Sequence, residues 1–450
     1  MENWTDKIFY HIYPLGMCGA PKQNDFCSPA GNGLLSLVKH IPRLLSLGIN
    51  ALYIGPLFES SSHGYDTIDY YHVDRRLGTN NDLKELVKAF HENSISVILD
   101  GVFNHTSRDF FAFKDIREKR EYSQYTNWYL NINFSQNTEY NDGFSYEGWA
   151  GHKSLAKLNL GCRDVCGHIL NAVKYWIEEF DIDGLRLDAA NVISIDFLKE
   201  LSYFSKNIKK SFWLMGEIVA GDYSKFAHES CLDSVTNYEL YKSLWSSFHD
   251  QNIYELAWTL KREFYNDGLC KDLAVYNFAD NHDVNRVASS LKNQSNLFPL
   301  YGLLFCVPGI PSIYYGSEYG VFGKRGEWDD YELRQAWEDN WAESNIGKGL
   351  FKEICRFSKL RRESDALKNG NYCELLVDYE QIFAFSRETN NEIIIVAINA
   401  AQNNKKCILN NEKIGNAKWF DLLSGEEYFS NNNILELSLQ PSWLKILKKL

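Results

Sequence analysis

Three carboxylates, Asp188, Glu217 and Asp283, close separate apolar stretches: GLRLDAANV, FWLMGEI and FADNHD. FWLMG leaves Glu217 partly desolvated, and a carboxyl in such a place holds its proton and can donate it to a leaving oxygen. Cleaving a glycosidic bond needs that donor and a second carboxylate, and a separation of about 5–5.5 Å gives retention through a covalent intermediate. On adjacent strands, about 4.8 Å apart, Asp188 and Glu217 meet the shorter distance. Arg186 lies two residues before Asp188 and points the same way in a strand. It is either a structural ion-pair partner of Asp100 or Asp188, or a fixed cation that keeps Asp188 ionised while Glu217 stays protonated; the two are compatible.

Further polar residues gather where apolar runs end: Tyr65, Asp100, Asn104, His105, Asn281 and His282. Aromatic residues reach 15%, and Tyr65, Trp128, Trp149, Trp328 and Trp337 fall in expected loops. Ring faces there suit the apolar faces of sugars, and packing within the fold is the competing role.

To bring these residues to one mouth, the chain must supply parallel strands. IFYHIYP (8–14), INALYIGP (49–56), SISVILDGVF, 183–189, SFWLMGEI, CLDSVTNY, LAVYNFAD and IPSIYYG read as strands. Helices are expected at 34–48, 81–93, 165–179, 195–209, 252–266, 297–305 and 348–364. About eight strand and helix pairs predict an α/β fold, a closed (β/α)8 barrel spanning 1–103 and 164–370, with its chemistry at the strand ends. The aromatic, irregular stretch 104–163 reads as an inserted lobe, and the short alternating pieces of 371–450 as an antiparallel β-sandwich.

Composition narrows the partners. The 450 residues carry 47 basic against 59 acidic side chains, a net charge of -12, without a basic stretch fit for a phosphate backbone. Neither nucleic acid nor a membrane is an expected partner, and no run suits a transmembrane helix. The start MENWTDKIFY has no signal-peptide pattern, so a cytoplasmic chain is expected, with a monomer favoured. Ten scattered cysteines read as free, mostly buried thiols.

Taken together these stretches resemble the alpha-amylase family, glycoside hydrolase family 13. DGVFNH carries the first signature (Asp100, Asn104, His105), GLRLDAANV the second, MGEI the third and FADNHD the fourth. The resemblance implies that Asp188 is the nucleophile, Glu217 the acid/base and Asp283 the transition-state aspartate. It makes His63, Tyr65, His105, Arg186 and His282 substrate-binding residues, with Asp100 and Asn104 in support. LAKLN (155–159) is similar to the fifth signature of the neopullulanase, cyclomaltodextrinase and maltogenic amylase group, whose extra N-terminal domain has no counterpart before IFYHIYP. The implied substrate is an α-glucan: maltooligosaccharide, starch or cyclodextrin. Ala189 favours α-1,4 over α-1,6 linkages, since α-1,6 enzymes often carry Val there. No cofactor is needed for the chemistry. Lys157 and Val192 stand where calcium-dependent relatives have aspartate and histidine, which argues against a calcium ion between barrel and lobe, although Asn104 matches one ligand. A transglycosylase using the same intermediate, an α-1,6-acting glucan hydrolase on the same scaffold and a non-catalytic sugar-binding protein are the competing readings.

Overall fold

The computed structural model describes residues 4–327 and 329–450, so Trp328 lies outside the described residues. Eight parallel strands form the central sheet: Phe9–Ile12, Ala51–Ile54, Ser96–Gly101, Gly184–Leu187, Trp213–Gly216, Ser234–Val235, Tyr276–Phe278 and Ile310–Tyr314. Numbered along the chain, they run 7-8-1-2-3-4-5-6 in space. A parallel bridge between Thr236 and Tyr276 joins the two outer members. The Asn237 N–H donates to the Tyr276 carbonyl at 2.9 Å across the same seam, and the sheet becomes a barrel.

Alternation along the strands explains why apolar runs carry charges. Phe9, Ala51, Tyr53, Ile98, Trp213, Met215, Tyr276, Phe278 and Ile310 form one buried cluster inside the barrel. Tyr10, Leu52, Leu99, Leu185, Leu187 and Leu214 join the larger core beneath the helices. Leu185 and Leu187 thus point out while Arg186 points in. Trp4 stacks on Trp213 at 5.1 Å and covers the lower end of the interior, leaving the upper end for polar side chains.

Two helical expectations need correction. The segment 34–48 is not one helix but three short pieces, Gly33–Ser36, Leu37–His40 and Ile41–Ser46. Pro42 opens the last piece; lacking an N–H and clashing with the preceding turn, proline cannot continue a helix through that point. A helix absent from the sequence reading, Tyr238–His249, follows the two-residue sixth strand, with the Asn237 Oδ1 capping it through the Leu240 N–H at 3.0 Å.

Between the third and fourth strands, His105–Ser107, Gly148–Trp149 and His152–Lys157 form a small antiparallel sheet beside helix Phe111–Lys119. Beyond the barrel a six-stranded antiparallel sheet faces the pair Lys405–Asn410 and Ile434–Leu439. Ile382 and Ala384 pack towards that pair, whereas Phe383 and Phe385 pack onto the barrel side. All ten cysteines are free thiols. Among the described residues no helix is long and apolar enough to cross a membrane.

Glu263, on helix Ile253–Phe264, is 2% exposed. Its Oε2 accepts from the Asn237 amide at 2.9 Å, and burial pushes its carboxyl up to about 7. A folded-state value above the unfolded one means stability present at low pH and lost as pH rises from about 4.5 through about 7. Glu263→Gln should therefore melt higher than the wild type at pH 8, by about 2–3 kcal/mol of stability, and match it near pH 4. A constant difference across that range would contradict this account.

Candidate active site

The strand ladders place the carboxylates. Arg186 pairs in register with Asp100 on one side and Met215 on the other, and Leu187 with Gly216. The Asp188 N–H then reaches the Gly101 carbonyl at 3.1 Å, and the Glu217 N–H the Leu187 carbonyl at 2.9 Å. Asp188 and Glu217 thereby leave neighbouring strands at matching levels. Ala189 follows with φ +46°, a left-handed conformation that costs an L-residue roughly 1–2 kcal/mol and is harder still for a β-branched one. Its N–H donates to Glu217 Oε2 at 2.9 Å.

Arg186 is the hub. Its Nη1 lies 3.0 Å from Asp100 Oδ1 and 3.1 Å from Asp188 Oδ1, and its Nη2 lies 2.9 Å from Glu217 Oε1. Only 3% of the residue is exposed, so the guanidinium serves three buried carboxyls at once and both sequence readings of it hold geometrically. One electrostatic expectation does not hold. Burial pushes the Asp188 carboxyl well above the ordinary range; Arg186 opposes this, while the charges of Glu217, Asp100 and Asp283 reinforce it. Arg186 is shared among three carboxyls, and burial at Asp188 acts against it.

Asp100 accepts from the Tyr53 hydroxyl at 2.7 Å and the Tyr65 hydroxyl at 3.1 Å. Tyr65 stacks on His282 with centroids 5.4 Å apart, and its hydroxyl bonds His282 Nε2. His282 Nε2 also lies 2.9 Å from Asp283 Oδ2. Burial alone would raise Asp283, but His282, Arg334 and Arg186 outweigh it and hold this carboxyl well below the usual range. His105 sits between the Asn104 amide, 3.2 Å from Nδ1, and the Tyr65 carbonyl, 3.0 Å from Nε2. Burial pushes its imidazole down to about 4, so it is neutral near pH 7. His63 is more open: its Nδ1 accepts from the Tyr65 N–H at 3.2 Å, and its carbonyl accepts from the Tyr13 hydroxyl at 2.7 Å.

Two residues at this mouth escaped the sequence reading. Arg334 Nη2 holds Asp283 Oδ1 at 2.9 Å and Asp330 Oδ2 at 3.3 Å, and its Nε donates to the His282 carbonyl at 3.0 Å. The available signal was the i,i+4 spacing of Asp330 and Arg334 in a polar loop. Tyr238 donates from its hydroxyl to Glu217 Oε1 at 3.2 Å. Arg334, Tyr13, His63, Asp330, Lys22 and Tyr331 line a cavity of about 420 Å³ beside Asp283. Of the loop aromatics, Trp149 lies 5.7 Å from the His105 ring. Trp128 is instead buried in the inserted lobe against Phe111 and His168, and Trp337 packs on His40 and Arg43.

Lys157 Nζ pairs with Glu147 Oε1 at 2.8 Å within the inserted lobe, and the Asn104 amide is turned to His105. Among the described residues no group of three or more His, Cys, Asp and Glu side chains is arranged to hold a metal.

Comparison with known proteins agrees with this architecture. The alpha amylase catalytic domain matches residues 27–356 and the alpha-amylase C-terminal domain residues 370–443. A cyclomaltodextrinase of Thermoanaerobacter pseudethanolicus is 32% identical over 467 aligned positions, covering 99% of this chain and 78% of that protein. Neopullulanase 2 of Thermoactinomyces vulgaris is 31% identical over 461 positions, covering 97% and 76%. A cyclomaltodextrinase structure superposes with a TM-score of 0.87 at 27% identity, covering 99% of this chain and 78% of that one. The barrel and its mouth are those of a glycoside hydrolase. The chain belongs to the alpha-amylase family, glycoside hydrolase family 13.

Proposed function

We propose that this enzyme hydrolyses α-1,4-glucosidic bonds of maltooligosaccharides, starch-type glucans or cyclodextrins with retention of configuration. The observation that carries the reading is the placement of Asp188 and Glu217 at matching ends of adjacent strands, both in contact with Arg186. Adjacent strands lie about 4.8 Å apart, which supports the short separation that retention needs. In the first step an Asp188 oxygen bonds to the anomeric carbon as the glycosidic C–O bond breaks, and the Glu217 proton passes to the departing oxygen. In the second, water adds its oxygen to that carbon, its proton goes to Glu217, and Asp188 leaves as carboxylate. Asp283, held by Arg334 and His282, is placed to grip sugar hydroxyls as the ring distorts. The cyclomaltodextrinase and neopullulanase relatives support an α-glucan substrate. The strained Ala189 position supports a small residue there, the choice associated with α-1,4 cleavage. The chemistry uses only the chain's own groups, and free thiols, among them the exposed Cys27, suit a reducing cytoplasm.

Product time courses on starch, pullulan, cyclodextrins and isomaltose, followed by proton NMR, test this proposal. The α-anomer should appear first and convert slowly to the β-anomer, with isomaltose left intact. A β-anomer formed first would exclude retention, and faster cleavage of isomaltose would exclude the α-1,4 assignment. Longer or branched products at high maltooligosaccharide concentration would mark a transglycosylase.

A further inference from the structure

Retention needs Glu217 as an acid in the first step and as a base in the second, and the groups that touch it bear on that exchange. Glu217 receives only donors: the Ala189 N–H at Oε2, and Arg186 Nη2 and the Tyr238 hydroxyl at Oε1. Asn281 Nδ2 in turn lies 3.2 Å from the Tyr238 oxygen. A phenol has a single hydrogen, so the amide donation from Asn281 directs that hydrogen onward to Glu217. Backbone and ring of Tyr238 are both held. The residue opens helix Tyr238–His249, immediately after Asn237 has been fastened across the barrel seam. Its ring meets Phe278 edge-on at 5.0 Å and Tyr241 at 6.0 Å. Burial, then the charges of Glu217 and Asp283, push the phenol well above its usual range, so it stays a donor.

Resting on the retaining mechanism above, we propose that Tyr238 is a positioning residue that decides which carboxyl of the Asp188–Glu217 pair carries the proton. Its hydroxyl, directed by Asn281, favours the carboxylate form of Glu217, the form that must take a proton from water in the second step. The charged and titratable groups facing this pair include Arg186 from the fourth strand, Asp100 from the third, Asp283 beyond the seventh, Tyr70, and Tyr238 itself. Of these, Tyr238 is the one that touches Glu217 without touching Asp188 and without bearing charge, so removing its hydroxyl changes the balance between the two carboxyls and leaves the net charge intact.

The test is Tyr238→Phe, which keeps the ring packing. Removing a donor to the carboxylate favours the protonated form, so the alkaline limb of kcat/KM should move up by on the order of one pH unit. With α-maltosyl fluoride, whose leaving group needs no proton, kcat should fall about tenfold because the second step becomes limiting, and glycosyl-enzyme should accumulate. Asn281→Ala should shift the limb in the same direction by less. Tyr241→Phe, which removes a neighbouring hydroxyl that does not reach Glu217, is the control and should leave the profile alone. A uniform loss of rate with an unmoved limb would show a merely structural role and overturn the inference, as would an unchanged enzyme. If Glu217→Gln kept full activity on maltooligosaccharides, the mechanism would have failed first; if it were inactive while the Tyr238→Phe profile stayed put, only this inference would fall.

Discussion

Asp188→Asn should yield a folded chain whose turnover of maltooligosaccharides is lower by on the order of 10⁴-fold or more, because the amide cannot form the covalent intermediate. Folding should survive for a definite reason. Arg186 keeps Asp100 and Glu217 as partners, and the Asp188 N–H keeps its bond to the Gly101 carbonyl. Burial already disfavours a charge at position 188, so the neutral amide relieves a cost that the wild type bears for function. The variant should melt no lower than wild type at pH 7, and the combination of lost turnover with undiminished stability distinguishes a reacting group from a structural one. Truncation to Asp188→Ala makes room on that face, and added azide should then give a β-glycosyl azide, the inverted product.

Glu217→Gln should lower kcat/KM for maltooligosaccharides by about 10²–10⁴-fold, the range of a lost general acid. The loss should depend on the leaving group. α-Maltosyl fluoride needs no proton for departure, so the first step should be largely restored while the second stays slow. Azide, a nucleophile that needs no base, should then accelerate turnover and give an α-glycosyl azide, of opposite configuration to the product from Asp188→Ala. The introduced amide retains an oxygen for the Ala189 N–H or the Tyr238 hydroxyl, so the change removes the proton without emptying the site. Equal losses on both substrates would contradict an acid/base role.

Much of this site is legible in the sequence. The period of two in GLRL puts Leu185 and Leu187 outside the barrel and Arg186 inside, and three carboxylates at separate strand ends can meet only at one mouth. The barrel itself follows from apolar runs alternating with amphipathic helices. What stays hidden is set by space. Arg334 reaches Asp283 from a loop with no period to mark it. Tyr238 belongs to a helix that starts soon after a two-residue strand, with Asn237 as its cap. The broken helix at 34–48 keeps an amphipathic spacing that masks the effect of Pro42. The sequence offers Asp100 or Asp188 as the partner of Arg186, but its simultaneous sharing among Asp100, Asp188 and Glu217, and the burial that acts against it at Asp188, depend on how many groups converge on one guanidinium.

The central claim is that Asp188 becomes covalently glycosylated. Incubating Glu217→Gln with α-maltosyl fluoride, quenching in acid and sequencing the peptic fragments by mass spectrometry tests it directly. The account predicts a maltosyl adduct on the peptide containing Asp188, lost again on addition of azide. An adduct on another residue, or steady release of fluoride with no adduct and a β-configured product, would contradict it.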